Sequence, residues 1–238
     1  MFAQSTHFSL ATNLEQVLQQ DEVFRGFSVE AKQCLLRHAK YRRFWAEQLI
    51  LRQQQQVNDL YVLLEGTLQV GWLQENGQLK MADYMSHSSA FNLVPFFQQL
   101  PMDYDFIALD RVAIAVIDGP VFLQLLQHEP QAMWRMISLL SQRMSRLFSE
   151  QRYLHNASLE QRLAWHLVKF CEQYGVPHLH GIRLRLKISQ QDFAELLNVS
   201  RQTLNKIVKR FRQQHMLEWR YHQVVIWDLE QLKRLSQF

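Results

Sequence analysis

Residues 189–212, SQQDFAELLNVSRQTLNKIVKRFR, carry side chains suited to a polyanion. Arg201, Lys206, Lys209, Arg210 and Arg212 are basic, and no Asp or Glu occurs from 196 to 217. Arg201 and Lys206 can donate to guanine O6 and N7, and Gln202 or Asn205 can pair with adenine N6 and N7. Lys209, Arg210 and Arg212 lie further along and suit phosphates, which supply affinity without sequence information. Ser189, Gln190, Thr203 and Arg220 are further phosphate candidates. The chemistry predicted is non-covalent contact with double-stranded DNA.

Such side chains act only if local structure aims them. Ser189 can cap a first helix, with Asp192 three residues on closing a capping box. Phe193, Ala194, Leu196 and Leu197 supply its buried side, and Ala194 leaves room for a close helix crossing. Asn198 stands where a tight turn needs a residue tolerant of the left-handed region. Ser200 caps a second helix whose inner face is Leu204, Ile207, Val208 and Phe211. Two short helices at this spacing predict a helix-turn-helix. Residues 217–227, LEWRYHQVVIW, read as a β-wing turning near 220–223, and Asp228 can cap a last short helix to Leu235.

Upstream, the periodicities change twice. Leu14, Val17 and Leu18, then Ala31, Cys34, Leu35 and Leu36, fit short helices. From about 44 to 118 the pattern is short strands separated by turns, among them 60–70, punctuated by Gly66, and 111–117. Asn76-Gly77 is a hairpin signal, and the glutamine run 53–56 reads as a hairpin cap. Several strands in so short a span suggest a sandwich, barrel or jelly roll. From 131 onward Met133, Met136, Leu140, Met144, Leu147, Gln151 and Leu154 step by three or four without Gly or Pro, predicting one helix about 35 Å long. That stripe fits either a cover for the β region or a two-helix dimer seam. A further domain starts near Ser158, with a loop over 175–181.

The 238 residues suffice for two domains, and 47% are hydrophobic. Residues 1–154 carry 13 Lys+Arg against 15 Asp+Glu, a net of −2, whereas 155–238 carry 13 against 7, a net of +6. That asymmetry is expected when only the second part faces phosphates. No apolar run reaches the ~20 residues of a membrane span, and the N-terminus lacks a secretory pattern. With only Cys34 and Cys171, a disulfide framework or Cys-rich metal site is excluded, and a cytoplasmic location is expected. No nucleotide-loop, zinc-protease or serine-elbow motif is present. His166 and Cys171 stand about 140° apart on a helix, so an enzyme is not expected. His178 and His180 read as loop residues, and no metal site is predicted.

The order of elements resembles the Crp–Fnr family of bacterial transcription regulators, most specifically in 61–70 (YVLLEGTLQV) and 189–208. The resemblance implies an α+β fold: a cyclic-nucleotide-binding-like jelly roll over 1–130, a dimerisation helix over 131–156 and a winged helix-turn-helix over 157–238. It implies a homodimer joined through Met133, Met136, Leu140, Met144 and Leu147, with half-site centres about 34 Å apart on a pseudo-palindrome. RNA polymerase is a further partner implied. Arg201, Gln202 and Lys206 fall on the family's base-reading positions, where cyclic-AMP-responsive members carry Arg, Glu and Arg. Aligning on residues 91–96 puts Phe91 and Asn92 where a nucleotide binder has Gly-Glu, and Met102 and Asp103 where it has Arg-Ser. No Arg lies between Arg52 and Arg111, so cyclic AMP is not expected as effector. Phe91, Leu93, Phe96, Phe97, Tyr104 and Phe106 make this region aromatic. It reads either as a self-filled core or as a pocket for an uncharged effector. His87 is the candidate axial ligand were haem bound, and a ligand-sensing module acting on a protein partner is the alternative to DNA binding.

Overall fold

The computed structural model describes residues 2–74, 79–86, 88–186 and 188–236. The chain divides into two compact units, Met1–Arg146 and Leu147–Phe238. The division falls within one long helix.

In the first unit, α1 (Phe2–Gln20) and α2 (Val29–His38) precede β1 (Ala39–Phe44), β2 (Leu49–Leu51), β3 (Leu60–Glu65), β4 (Leu68–Leu73) and β5 (Leu79–Met85). Then follow α3 (Leu93–Gln98), β6 (Asp105–Ala108), β7 (Val112–Ile117), α4 (Gly119–His128) and the long α5 (Pro130–Asn156). The strands form two antiparallel sheets, ordered β1-β7-β3 and β2-β6-β4-β5. The alternation in β7 explains how they are covered. Val112, Ile114 and Val116 join Leu51, Leu63, Leu68 and Phe106 in one core, while Ala113, Ala115 and Ile117 join a second core with α1, α2 and α4. Successive side chains of a strand point to opposite faces, so β7 is apolar throughout because both its faces are covered. Its two alanines take little room on the helix side, where Phe122 of α4 meets Phe24, Phe27 and Phe96.

Between β3 and β4, Gly66 has φ +88°, and a Cβ there would lie 2.5 Å from the Arg111 carbonyl oxygen. Only glycine fits that turn. The glutamine run departs from its expected role. It joins β2 to β3, which pair with β6 and β7 respectively, so it crosses between sheets rather than closing a hairpin. Asn76 and Gly77 lie outside the described residues, between β4 and β5, which pair as far as Leu73 with Leu79.

Along α5 the expected stripe divides. Ala132 and Met136 are buried in the helix-side core, and Leu139 and Leu140 pack partly against it. Met133, Trp134, Ile137, Met144, Leu147 and Phe148 are exposed. Met136 is therefore a core residue of the first unit, correcting its expected place on the outer seam. It follows Ala132 by four residues and so shares its inward face.

The second unit contains α6 (Leu159–Tyr174), β8 (Gly175–His178), β9 (Gly181–Leu184), α7 (Gln190–Leu196), α8 (Arg201–Gln213), β10 (Leu217–Arg220), β11 (Gln223–Ile226) and α9 (Leu229–Leu235). Ser158 and Gln161 form a capping box at the start of α6, and Asp228 accepts from the Gln231 amide at the start of α9. The expected loop over 175–181 is instead a hairpin that completes a sheet ordered β10-β11-β9-β8. Gly175, Pro177 and Gly181 disguise these strands, but β9 gains backbone partners from β11. A Cβ on Gly181 would lie 2.4 Å from the Ile226 carbonyl oxygen, so glycine permits that close pairing.

Candidate nucleic-acid interface

Ser189 Oγ accepts from the Asp192 amide at 3.1 Å, and Asp192 Oδ2 accepts from the Ser189 amide at 3.0 Å. This reciprocal cap starts α7. Phe193 and Ala194 are fully buried, and Asn198 turns the chain at φ +55°. Ser200 Oγ accepts from the Thr203 amide at 3.1 Å, which starts α8. Leu204, Ile207, Val208 and Phe211 are buried beneath α8, whereas Arg201, Gln202, Thr203, Lys206, Lys209, Arg210 and Arg212 are exposed. The 3.6-residue period thus separates an apolar underside from a cationic outer face.

The remaining candidates are already engaged. Asn205 Nδ2 donates to Gln190 Oε1 at 2.8 Å, so this pair ties α8 to α7 rather than standing free as a base reader and a phosphate donor. The Thr203 hydroxyl lies 2.8 Å from Ser200 Oγ. Arg210 pairs with Glu160, and Glu218 lies 2.9 Å from Arg212 and 3.0 Å from Arg220. Both acids come from outside α8, beyond the acid-free stretch visible in the sequence.

One contact escaped the sequence reasoning altogether. Arg162 Nη2, near the start of α6, donates to the Leu197 carbonyl oxygen at 2.7 Å, beside the turn between α7 and α8. Thirty-five residues separate the partners, so no local pattern signals it. The ring of His166 on the same helix lies 6.0 Å from that of Phe193. Burial, aided by Lys169 and Arg162, lowers the His166 pKa to about 3. Burial also pushes the Cys171 thiol up to about 12. Near neutrality His166 is therefore an uncharged imidazole, and Cys171 is a protonated thiol rather than the nucleophilic thiolate. Among the described residues no cluster of three or more His, Cys, Asp or Glu is placed to hold a metal, and no helix is long and apolar enough to cross a bilayer.

In the first unit, Asn92 is completely buried, and both ends of its amide are used by backbone. Its Oδ1 accepts from the Tyr61 amide at 2.8 Å, and its Nδ2 donates to the Asp59 carbonyl oxygen at 2.9 Å. The Phe91 ring lies 5.0 Å from Phe106 and 6.0 Å from Tyr61. Met102 is buried and its backbone bonds Gln54 and Gln55, while Asp103 is exposed. The aromatic group does not line one pocket. Phe91, Tyr104 and Phe106 belong to the core between the sheets, whereas Leu93, Phe96 and Phe97 belong to the helix-side core. His87 lies outside the described residues.

Comparison with known proteins agrees with this architecture. Residues 41–129 match the cyclic nucleotide-binding domain, and residues 161–235 match the Crp-like helix-turn-helix domain. A CRP-like cAMP-activated global transcriptional regulator of Mycobacterium tuberculosis is 20% identical over 224 residues, covering 94% of this chain and all of the relative. Among solved structures, FixK2 of Bradyrhizobium japonicum superposes with a TM-score of 0.70 at 13% identity, covering 84% of this chain and 98% of that one. The c-di-GMP-responsive global regulator CLP of Xanthomonas campestris superposes with a TM-score of 0.68 at 17% identity, covering 84% of this chain and all of the other. With a β-rich cyclic-nucleotide-binding domain, a long helix and a Crp-like helix-turn-helix in this order, the chain belongs to the Crp–Fnr family of DNA-binding transcription regulators.

Proposed function

We propose that the protein binds a two-fold symmetric DNA site as a homodimer, with α8 in the major groove, and does so without cyclic AMP. The exposed face of α8 carries this reading. Arg201, Gln202 and Lys206 stand on its N-terminal half, free of the ion pairs that engage Arg210 and Arg212. Residues there meet base edges, and Lys209, further along the same face, meets phosphates. Gln202 offers both a donor and an acceptor, which suits adenine better than cytosine. The exposed apolar residues of α5, Met133, Ile137, Met144 and Leu147, follow one another at steps of four, seven and three residues, so they share one face of the helix and form the seam between protomers.

Independence from cyclic AMP is supported by Asn92 and Phe91. A ribose-binding group must be able to turn toward its ligand, but the Asn92 amide is committed to backbone on both sides. Asp103 adds an acid where a cyclic phosphate needs a cation. The effectors named for the relatives differ, cAMP in one and c-di-GMP in another, so the scaffold alone does not choose the signal.

Selection of DNA from a random pool by the purified protein, at about 0.15 M salt and with no nucleotide added, tests this reading. A symmetric motif is the expected result. Salt-sensitive binding without any motif would refute the effector-free part, and restoration of the motif by cyclic AMP would refute it directly.

A further inference from the structure

We propose that Tyr221, at the tip of the β10–β11 wing, enters the DNA minor groove beside the α8 footprint and confers a preference for A·T pairs there. The inference rests on α8 being the recognition helix. Tyr221 is 93% exposed and has φ +53°. Both features are costly for a large aromatic residue, since left-handed backbone crowds its Cβ and exposure forgoes burial of the ring. The register pairs Arg220 with Gln223, so Tyr221 and His222 alone span the turn.

The tip stands on a firm base. Leu217, Trp219, Val224 and Ile226 are buried on the inner face of the hairpin, and β11 pairs on its far side with β9. Glu218 joins Arg220 on the wing to Arg212 on α8, so the outer face of the wing continues the cationic flank of the recognition helix. A duplex seated on α8 therefore meets the wing as well.

Size and chemistry select the groove. The minor groove is about 6 Å wide, too narrow for the paired strands themselves but wide enough for the single exposed ring of Tyr221 at their tip. The Tyr221 hydroxyl can donate to adenine N3 or thymine O2, whereas the guanine 2-amino group places a second donor there. Arg220 and His222, both exposed beside it, meet the enhanced negative potential of a narrow A·T groove.

The test uses the selected site with its flanks changed to A·T, G·C or inosine·C pairs, the last presenting an A·T-like minor groove with a G·C-like major groove. Wild type should bind A·T and inosine·C flanks about tenfold more tightly than G·C flanks, the scale of one unfavourable base pair. Tyr221→Ala should erase that difference and leave the half-site motif intact, with an unchanged melting temperature confirming its fold. Flank preference retained in Tyr221→Ala, or absent from a wild type that still selects a core motif, would overturn the wing assignment alone. Loss of the core motif itself would overturn the recognition-helix reading and this inference with it.

Discussion

The Asn205 amide of the recognition helix donates to Gln190 Oε1 at the start of α7, at 2.8 Å. A residue whose type suits adenine is thus spent on holding two helices together. Asn205→Ala should lower the melting temperature of the winged-helix unit, at a cost of about 1 kcal/mol. Its DNA affinity should fall without any change in the selected motif. A changed motif would return Asn205 to the set of base readers.

Arg201→Ala and Lys206→Ala should behave in the opposite way. Each should cost ~1–3 kcal/mol of binding and relax base choice at one position, with thermal stability unchanged. Quantitative binding to single-base variants of the site is the measurement. An unaltered specificity profile for both variants would displace α8 as the reader.

The Arg210–Glu160 pair predicts an effect of salt. Glu160→Gln releases Arg210 for phosphate contact, so log Kd should depend more steeply on log salt by about one contact per half-site, whereas Lys209→Ala should make it shallower by the same amount. Titrations over a range of salt concentrations separate the two.

On the long helix, Met136 and Met144 should part company. Met144→Glu, at an exposed position, should yield folded monomers in sedimentation, whereas Met136→Ala should cost ~2–5 kcal/mol of stability by opening a cavity in the helix-side core. A Met144→Glu variant that remains dimeric would remove α5 as the seam.

His166 makes stability depend on pH. Its folded pKa is lowered to about 3, against an ordinary value of 6.5. Below pH 6.5 the unfolded chain takes up a proton that the folded protein refuses, so this contribution to stability is lost as pH falls from about 6.5 toward 3. His166→Gln removes the titration, and its melting temperature should fall less between pH 7.5 and pH 5 than that of wild type. Equal declines would mean that the imidazole is hydrated in the folded state.

The helix-turn-helix was legible because its determinants are local. Ser189, Asn198 and Ser200 each act within a few residues, and the buried face of α8 repeats with the helical period. The hairpin at 175–184 was not, because its strands are short and its pairing with β11 joins positions some forty residues apart. The same distance effect hid the pairing of Asn205 with Gln190 and of Arg162 with Leu197. On α5 the periodicity marks a stripe but does not divide it into a buried and an exposed part. Met136 and Ile137 are adjacent in sequence, and only tertiary packing turns one inward and leaves the other exposed. The sequence marks Asn92 as a departure from a nucleotide binder, but its bonds to Tyr61 and Asp59 span some thirty residues and emerge only from the fold.

Strand β7 acts as a party wall. Each of its residues faces one of two rooms, and the six backbone units between them are common to both. A disturbance on the sandwich side near Phe106 must therefore either stop at that wall or displace the alanines that seat the helices. The two cores cannot loosen independently, and the amides of β7 should exchange with solvent only when the whole unit opens.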